Sequence, residues 1–153
     1  MFFKVLSISL CSFAISVGAQ SGIAEGTYKI FSGDNGVLKA GNSAGSNIRV
    51  SYDTNADDSI RWQLISVGSD YTIKSVGLQA VVDPEGDKLY TQANSEATFS
   101  ITPTENDGRF FQIKVPDADQ LWSITPNEEA LPTDVLLKSA DGSPYQMWEF
   151  LKA

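Results

Sequence analysis

The chain has 153 residues, 42% of them hydrophobic, and 11 Lys and Arg against 19 Asp and Glu give a formal net charge of −8. That length suits one domain with a real hydrophobic core, and scattered acidic residues without a basic patch exclude nucleic acid and anionic membrane surfaces as natural partners. With no His and a single Cys, neither a Ser-His-Asp nor a Cys-His catalytic arrangement can be assembled, nor a His or Cys zinc site.

The N-terminal stretch MFFKVLSISLCSFAISVGAQ carries one cation at Lys4, an apolar run from Val5 to Val17, and small residues at Val17 and Ala19. This is the layout of a secretory signal peptide over residues 1–19, and the run is too short to span a bilayer comfortably. Cleavage after Ala19 leaves residues 20–153 as one secreted, extracellular domain of about 130 residues. Cys11 lies within the signal, so the mature domain has no disulfide and depends on packing. No Asn-x-Ser/Thr triplet occurs, so N-glycosylation is not expected.

Short strands separated by turn clusters follow, with little helical periodicity. Tyr28 and Ile30 alternate with polar neighbours, as do Tyr71 and Ile73, then Phe111 and Ile113; these segments lie 43 and 40 residues apart. Eight residues after each isoleucine stands an apolar residue, Leu38, Val81 or Leu121, expected to mark a second strand in matching register. Third strands are expected at Ile48 to Tyr52, Leu89 to Gln92 and Val135 to Lys138, and fourth strands at Trp62 to Ile65, Phe99 to Ile101 and Trp148 to Leu151. Gly33, Asn35 and Gly36, then Pro84, Glu85 and Gly86, then Asp141 and Gly142 supply the turns.

Three units of four strands are too few for a propeller. They fit an all-β, β-trefoil fold of twelve short strands, a barrel closed by a triangular cap. Tyr28, Leu38, Trp62, Tyr71, Phe99, Phe111, Leu121 and Trp148 are the expected core. Paired carboxylates, Asp57 with Asp58 or Glu128 with Glu129, read as solvated surface rather than as a glycosidase pair. The segment DTNADD at 53–58 lacks the central Gly and terminal Glu of a calcium loop and reads as a polar turn. The expectation is a binding protein and not an enzyme, with no cofactor and no metal.

The third unit, FFQIKVPDADQLWSITPNEEALPTDVLLKSADGSPYQMWEF, resembles the C-terminal third of the fungal β-trefoil serine-protease inhibitors of the cospin and cnispin type. The shared features are an I-x-V-P strand, an L-W-S/T-I strand, an apolar strand leading to A-D-G, and a closing Q-x-W-x-F. The opening G-T-Y-K-I and the second-unit Y-T-I-K-S-V resemble that family too, so the likeness covers most of residues 26–151. Members of that group are generally made without a signal peptide, unlike this chain. The resemblance implies a fungal inhibitor that acts through the loop between second and third strands, here Gly41, Asn42, Ser43, Ala44, Gly45, Ser46 and Asn47. That loop holds no Lys or Arg, which argues against a trypsin-like target. Small residues suit a subtilisin-like or elastase-like protease, and Asn42 or Asn47 suits an asparagine-specific one.

The same features resemble the ricin-B-like lectins, but only Gln146, Met147 and Trp148 keep the Q-x-W triplet of that family. The resemblance implies a sugar site at an Asp just after a second strand. Asp83 fits, with Tyr90 and Asn94 as helpers, whereas Ala40 and Ser123 take the matching places elsewhere. An extracellular protease is thus the first expected partner and a glycan the second. A secreted effector that binds a host protein is the third reading, and the domain is expected to be monomeric.

Overall fold

The computed structural model describes residues 22–153 apart from 54, 56, 106, 107 and 127–131. The expected signal peptide and the pair Glu128 and Glu129 lie outside the described residues. The first unit contains β1 (Gly26–Ser32), β2 (Val37–Lys39), β3 (Arg49–Ser51) and β4 (Trp62–Val67). The second contains β5 (Asp70–Ser75), β6 (Val81–Glu85), β7 (Lys88–Gln92) and β8 (Ser100–Pro103). The third contains β9 (Phe110–Lys114), β10 (Leu121–Ser123), β11 (Thr133–Asp134), β12 (Leu136–Lys138) and β13 (Trp148–Lys152).

The two-residue period of the strands turns Tyr28, Ile30, Tyr71, Ile73 and Ile113 inward, where all are buried. β1 pairs with β4 and β13, β4 with β5, β8 with β9, and β9 with β13. Tyr71 of β5 exchanges both backbone hydrogen bonds with Phe99, the residue before β8, at 2.9 and 2.8 Å. The ring β1-β4-β5-β8-β9-β13 therefore closes into a barrel, and the remaining strands form hairpins across one end. The fold is an all-β, β-trefoil-like barrel.

Thirteen strands appear among the described residues where twelve are expected, because Thr133 and Asp134, just before the predicted strand at Val135 to Lys138, pair separately with β3. Thr133 and Asp134 pair with β3, while Leu136 to Lys138 pair with β10 and Leu136 also with Lys88 of β7. Val135, between them, donates its N–H to the Ile48 carbonyl at 3.2 Å. One segment cannot follow two neighbours in different directions without a bend.

The expected register of the second strands needs a correction in the first unit. Phe31 faces Val37, whereas Lys74 faces Val81 and Lys114 faces Leu121. The first turn is one residue shorter, so Val37, not Leu38, matches Val81 and Leu121. The inward residues are then Leu38, Val82 and Trp122, all fully buried in the central cluster. Leu121, expected in that cluster, is buried outside it, and Phe111 is half-buried against its edge.

Trp62 and Trp148 occupy equivalent places. Their indole N–H groups donate to the carbonyls of Leu38 and Trp122, each at 3.0 Å. Phe99 fills the third place without a donor. Trp122 meets Phe99 and Trp148 edge to face, with centroids 5.0 and 6.0 Å away. Its own indole N–H is buried and has no hydrogen-bond partner among the described residues.

Gln146 is fully buried and acts as a lock for the last repeat. Its amide donates to Ser123 Oγ at 2.9 Å and to the Ser139 carbonyl at 2.8 Å, and its oxygen accepts from the Asp141 N–H at 3.0 Å. The β6-β7 hairpin turns at Gly86, where φ is +64°, a conformation that favours glycine.

Trp148→Phe should lower stability by about 2 kcal/mol or more, since it removes buried volume and takes the donor from the Trp122 carbonyl. Trp122→Phe should cost less, because it also removes an unpartnered donor. Urea unfolding midpoints of the two variants check the order, and equal losses would show that the indole bonds contribute nothing.

Candidate functional site

The loop from Gly41 to Asn47 leaves β2 and enters β3 with its two limbs pressed together. A side chain at Gly41 would lie 2.3 Å from Ser46 Cβ, so glycine is what lets the neck close. Ser46 donates its N–H to the Ser43 carbonyl at 3.2 Å, and the two serine hydroxyls share a hydrogen bond at 3.3 Å.

The returning limb is stitched to the second unit. The Gly45 N–H donates to the Thr91 carbonyl, the Thr91 N–H to the Ser46 carbonyl at 3.0 Å, and the Ile48 N–H to the Leu89 carbonyl at 2.9 Å. Asn47 forms a bridge with Tyr90. Asn42, Ser43, Ala44 and Gly45 stay exposed, while Ser46 and Asn47 are half-buried. The loop is a short, held projection.

Asn47 has a second tie. Its amide donates to Asp134 Oδ1, which also accepts from Arg49 Nε at 2.9 Å, while Asp134 Oδ2 accepts from Lys88 Nζ at 3.1 Å. One carboxylate thus joins residues of all three units. Partial burial works against the Asp134 charge, but the hydrogen bonds from Lys88 and Arg49 and their positive charge outweigh it and hold the carboxyl below its ordinary range. The same pairing raises Lys88.

The strand register brings together two of the three proposed sugar-site residues. Asp83 on β6 stands directly opposite Tyr90 on β7, whereas Asn94 is exposed beyond the end of β7. In the first unit the corresponding facing pair is Lys39 and Arg49, and in the third it is Ser123 and Leu136. Lys39, not Ala40, is therefore the match to Asp83; Ala40 is buried one residue further on.

A groove of about 510 Å³ opens beside this first-unit pair, lined by Lys39, Asn42, Ser46, Asn47, Arg49 and Asp53 among others. Asp53 belongs to the expected polar turn and accepts from the Asn55 N–H and side-chain amide at 3.1 and 3.0 Å. Asp57 caps a 3-10 turn at Asp58–Ile60, accepting from the Ser59 N–H at 2.9 Å. Its bonds with Ser59 hold that carboxyl below its ordinary range. Among the described residues, no group of three His, Cys, Asp or Glu side chains is placed to hold a metal ion.

Sequence reasoning missed Lys39, Arg49, Lys88 and Asp134. The facing of Lys39 and Arg49 becomes readable once the shorter first turn is allowed for. Asp134 gives no local signal, because its three partners lie 46 to 87 residues away.

No protein-family model matches the chain, and no curated protein does. Solved structures do. A ricin B-like lectin of Macrolepiota procera, in complex with lactose, superposes with a TM-score of 0.74 at 17% identity, over 86% of this chain and 99% of the other. A proteinase inhibitor from Coprinopsis cinerea gives 0.69 at 18% identity, over 86% and 100%. The designed threefold-symmetric protein ThreeFoil gives 0.73 at 14%, over 83% and 99%. Identities this low show the shared β-trefoil fold alone.

Asp134→Asn should destabilise the domain by about 1–2 kcal/mol near neutral pH, a value reduced for the partial exposure of the cluster. A carboxyl with a depressed folded pKa contributes stability above its unfolded value, close to the ordinary 3.8, and loses it as the pH falls through the folded value. The gap between wild type and Asp134→Asn should therefore be constant above about pH 5 and shrink below about pH 4. Unfolding midpoints measured from pH 2 to 7 check this, and a gap that does not change with pH would contradict it.

Proposed function

We propose that the chain is a secreted, non-catalytic binding protein that inhibits an extracellular protease through the loop Gly41 to Asn47. The observation that carries this reading is the closed neck and the β7 stitching of the loop, which leave Asn42 to Gly45 exposed on a held backbone. A protease-binding loop gains affinity when its ordering cost is met before the encounter. The fold-level likeness to a proteinase inhibitor agrees with it.

Asn42 is the specificity residue in this reading. Asn47 is half-buried and already donates to Asp134, so it supports the loop instead of entering a pocket. The absence of Lys and Arg from 41–47 directs the inhibitor away from trypsin-like enzymes, and an exposed Asn with small neighbours suits an asparagine-specific or subtilisin-like one.

The facing of Asp83 and Tyr90 supports a second reading, a single sugar site on the β6-β7 hairpin. A carboxylate beside an aromatic ring provides hydrogen-bond acceptors and an apolar face at one place.

Asn42→Ala should weaken inhibition of the target protease about ten- to a hundredfold, or 1–3 kcal/mol, while Asp83→Ala leaves it unchanged. Inhibition constants against asparagine-specific, subtilisin-like and elastase-like enzymes test this. Failure of micromolar protein to slow any of them would remove the inhibitor reading, and glycan retention lost in Asp83→Ala would establish the lectin reading in its place.

A further inference from the structure

The second-unit pair Asp83 and Tyr90 is replaced in the first unit by two cations, Lys39 and Arg49, at the same register position of the hairpin. Like charges directly opposite on paired strands oppose pairing. Their neighbours relieve them only in part. Arg49 gives its Nε to Asp134, and a guanidinium keeps further N–H donors after one is spent. Lys39 forms no ion pair among the described residues.

The carboxylates nearby hold hydrogen-bond partners of their own, and Lys39 acts on Asp57 through its charge without forming an ion pair with it among the described residues. Asp53, on the groove wall, accepts twice from Asn55, Asp57 accepts from Ser59 on the adjacent 3-10 turn, and Asp134 is shared with Lys88 and Asn47. In a chain with a net charge of −8, two cations with unspent donors on one small groove stand out from the surrounding field.

The rest of the lining is mixed, with Ala40, Gly41 and Pro132 beside the polar side chains and the Asp53 carboxylate on one wall. Asn42 and Asn47 contribute amides and Ser46 and Ser51 contribute hydroxyls, and no aromatic side chain lines the groove. A ligand held there gains little from stacking and much from hydrogen bonds, so it should carry many hydroxyls and one negative charge. A volume of about 510 Å³ is of the size that takes a sugar unit or two.

We propose that the Lys39-Arg49 groove binds a carboxylated sugar, a uronic acid, with its carboxylate between the two cations and its hydroxyls on the Asn and Ser side chains. The charged hydrogen bonds fix the ligand class, because a neutral hexose of the same shape would leave Lys39 without an ion pair and the remaining Arg49 donors without an anionic acceptor. The groove shares Gly41, Asn42, Ser46 and Asn47 with the proposed protease-contact loop, but the proposal rests on Lys39 and Arg49, which neither that reading nor the Asp83 hairpin uses.

Titration calorimetry or amide chemical-shift titration of the full domain with galacturonate and with galactose tests it directly. Saturable galacturonate binding, at least about tenfold tighter than galactose and weakened by added salt, is the expected result. Lys39→Gln and Arg49→Gln should each lose about tenfold in affinity. Equal binding of the two sugars, no saturable galacturonate binding at millimolar concentration, or unchanged affinity in Lys39→Gln would overturn the proposal. So would a short Glu-rich peptide that binds as tightly as galacturonate, since it would show that charge alone is recognised. The comparison of two ligands on the unaltered protein keeps the test valid even if a variant fails to fold.

Discussion

Three stretches of chain meet at the centre of the triangular cap, and each must satisfy its backbone on a neighbour from another repeat. The Ile48 N–H donates to the Leu89 carbonyl, and the Val135 N–H donates to the Ile48 carbonyl. All three side chains are fully buried. A buried N–H without a partner would cost about 1–3 kcal/mol, so the hairpins cannot shift independently once these bonds have formed. The site follows from this constraint. Because Ile48 is fixed on Leu89, the preceding residues run alongside β7, and Gly45 and Ser46 find their partner in Thr91.

The units differ where packing permits it. Trp62 and Trp148 each cap a carbonyl at the same point of the barrel, while Phe99 fills the volume alone. Trp122 takes a place that Leu38 and Val82 fill in the other units, and the larger indole brings a donor that goes unpartnered among the described residues. Pseudo-symmetry of the backbone thus survives side-chain changes in the core. At the facing positions of the hairpins such changes give chemically distinct pairs: Lys39 with Arg49, Asp83 with Tyr90, and a buried Ser123 with Leu136. One fold can then present a cationic groove and an acidic-aromatic pair at related positions of different repeats.

The barrel was legible in the sequence because strand alternation is a local signal, and the recurrence of Tyr28, Tyr71 and Phe111 at nearly equal spacing multiplied it. The one-residue slip at Leu38 escaped, since an apolar residue stands at both 37 and 38 and either satisfies the pattern. The short strand at Thr133 and Asp134 escaped for a different reason: two polar residues before the apolar run Val135 to Leu137 carry no strand alternation of their own. Of the candidate site, the loop boundaries and the Asp83-Tyr90 hairpin could be read, but the committed role of Asn47 could not. That role depends on Asp134, 87 residues away in the chain, and such a contact leaves no periodicity behind.

The central claim is that the loop proposed for protease contact is part of the cap, held by bonds to a different repeat. Native-state hydrogen exchange measured residue by residue tests it most directly, because it separates local opening from global unfolding. The amides of Ile48, Thr91 and Val135 should exchange only with the free energy and denaturant dependence of global unfolding, while those of Asn42 and Ser43 exchange freely. Exchange of the Thr91 and Ile48 amides through a low-energy local opening, with the barrel amides of Ile30 and Ile73 still protected, would contradict the account.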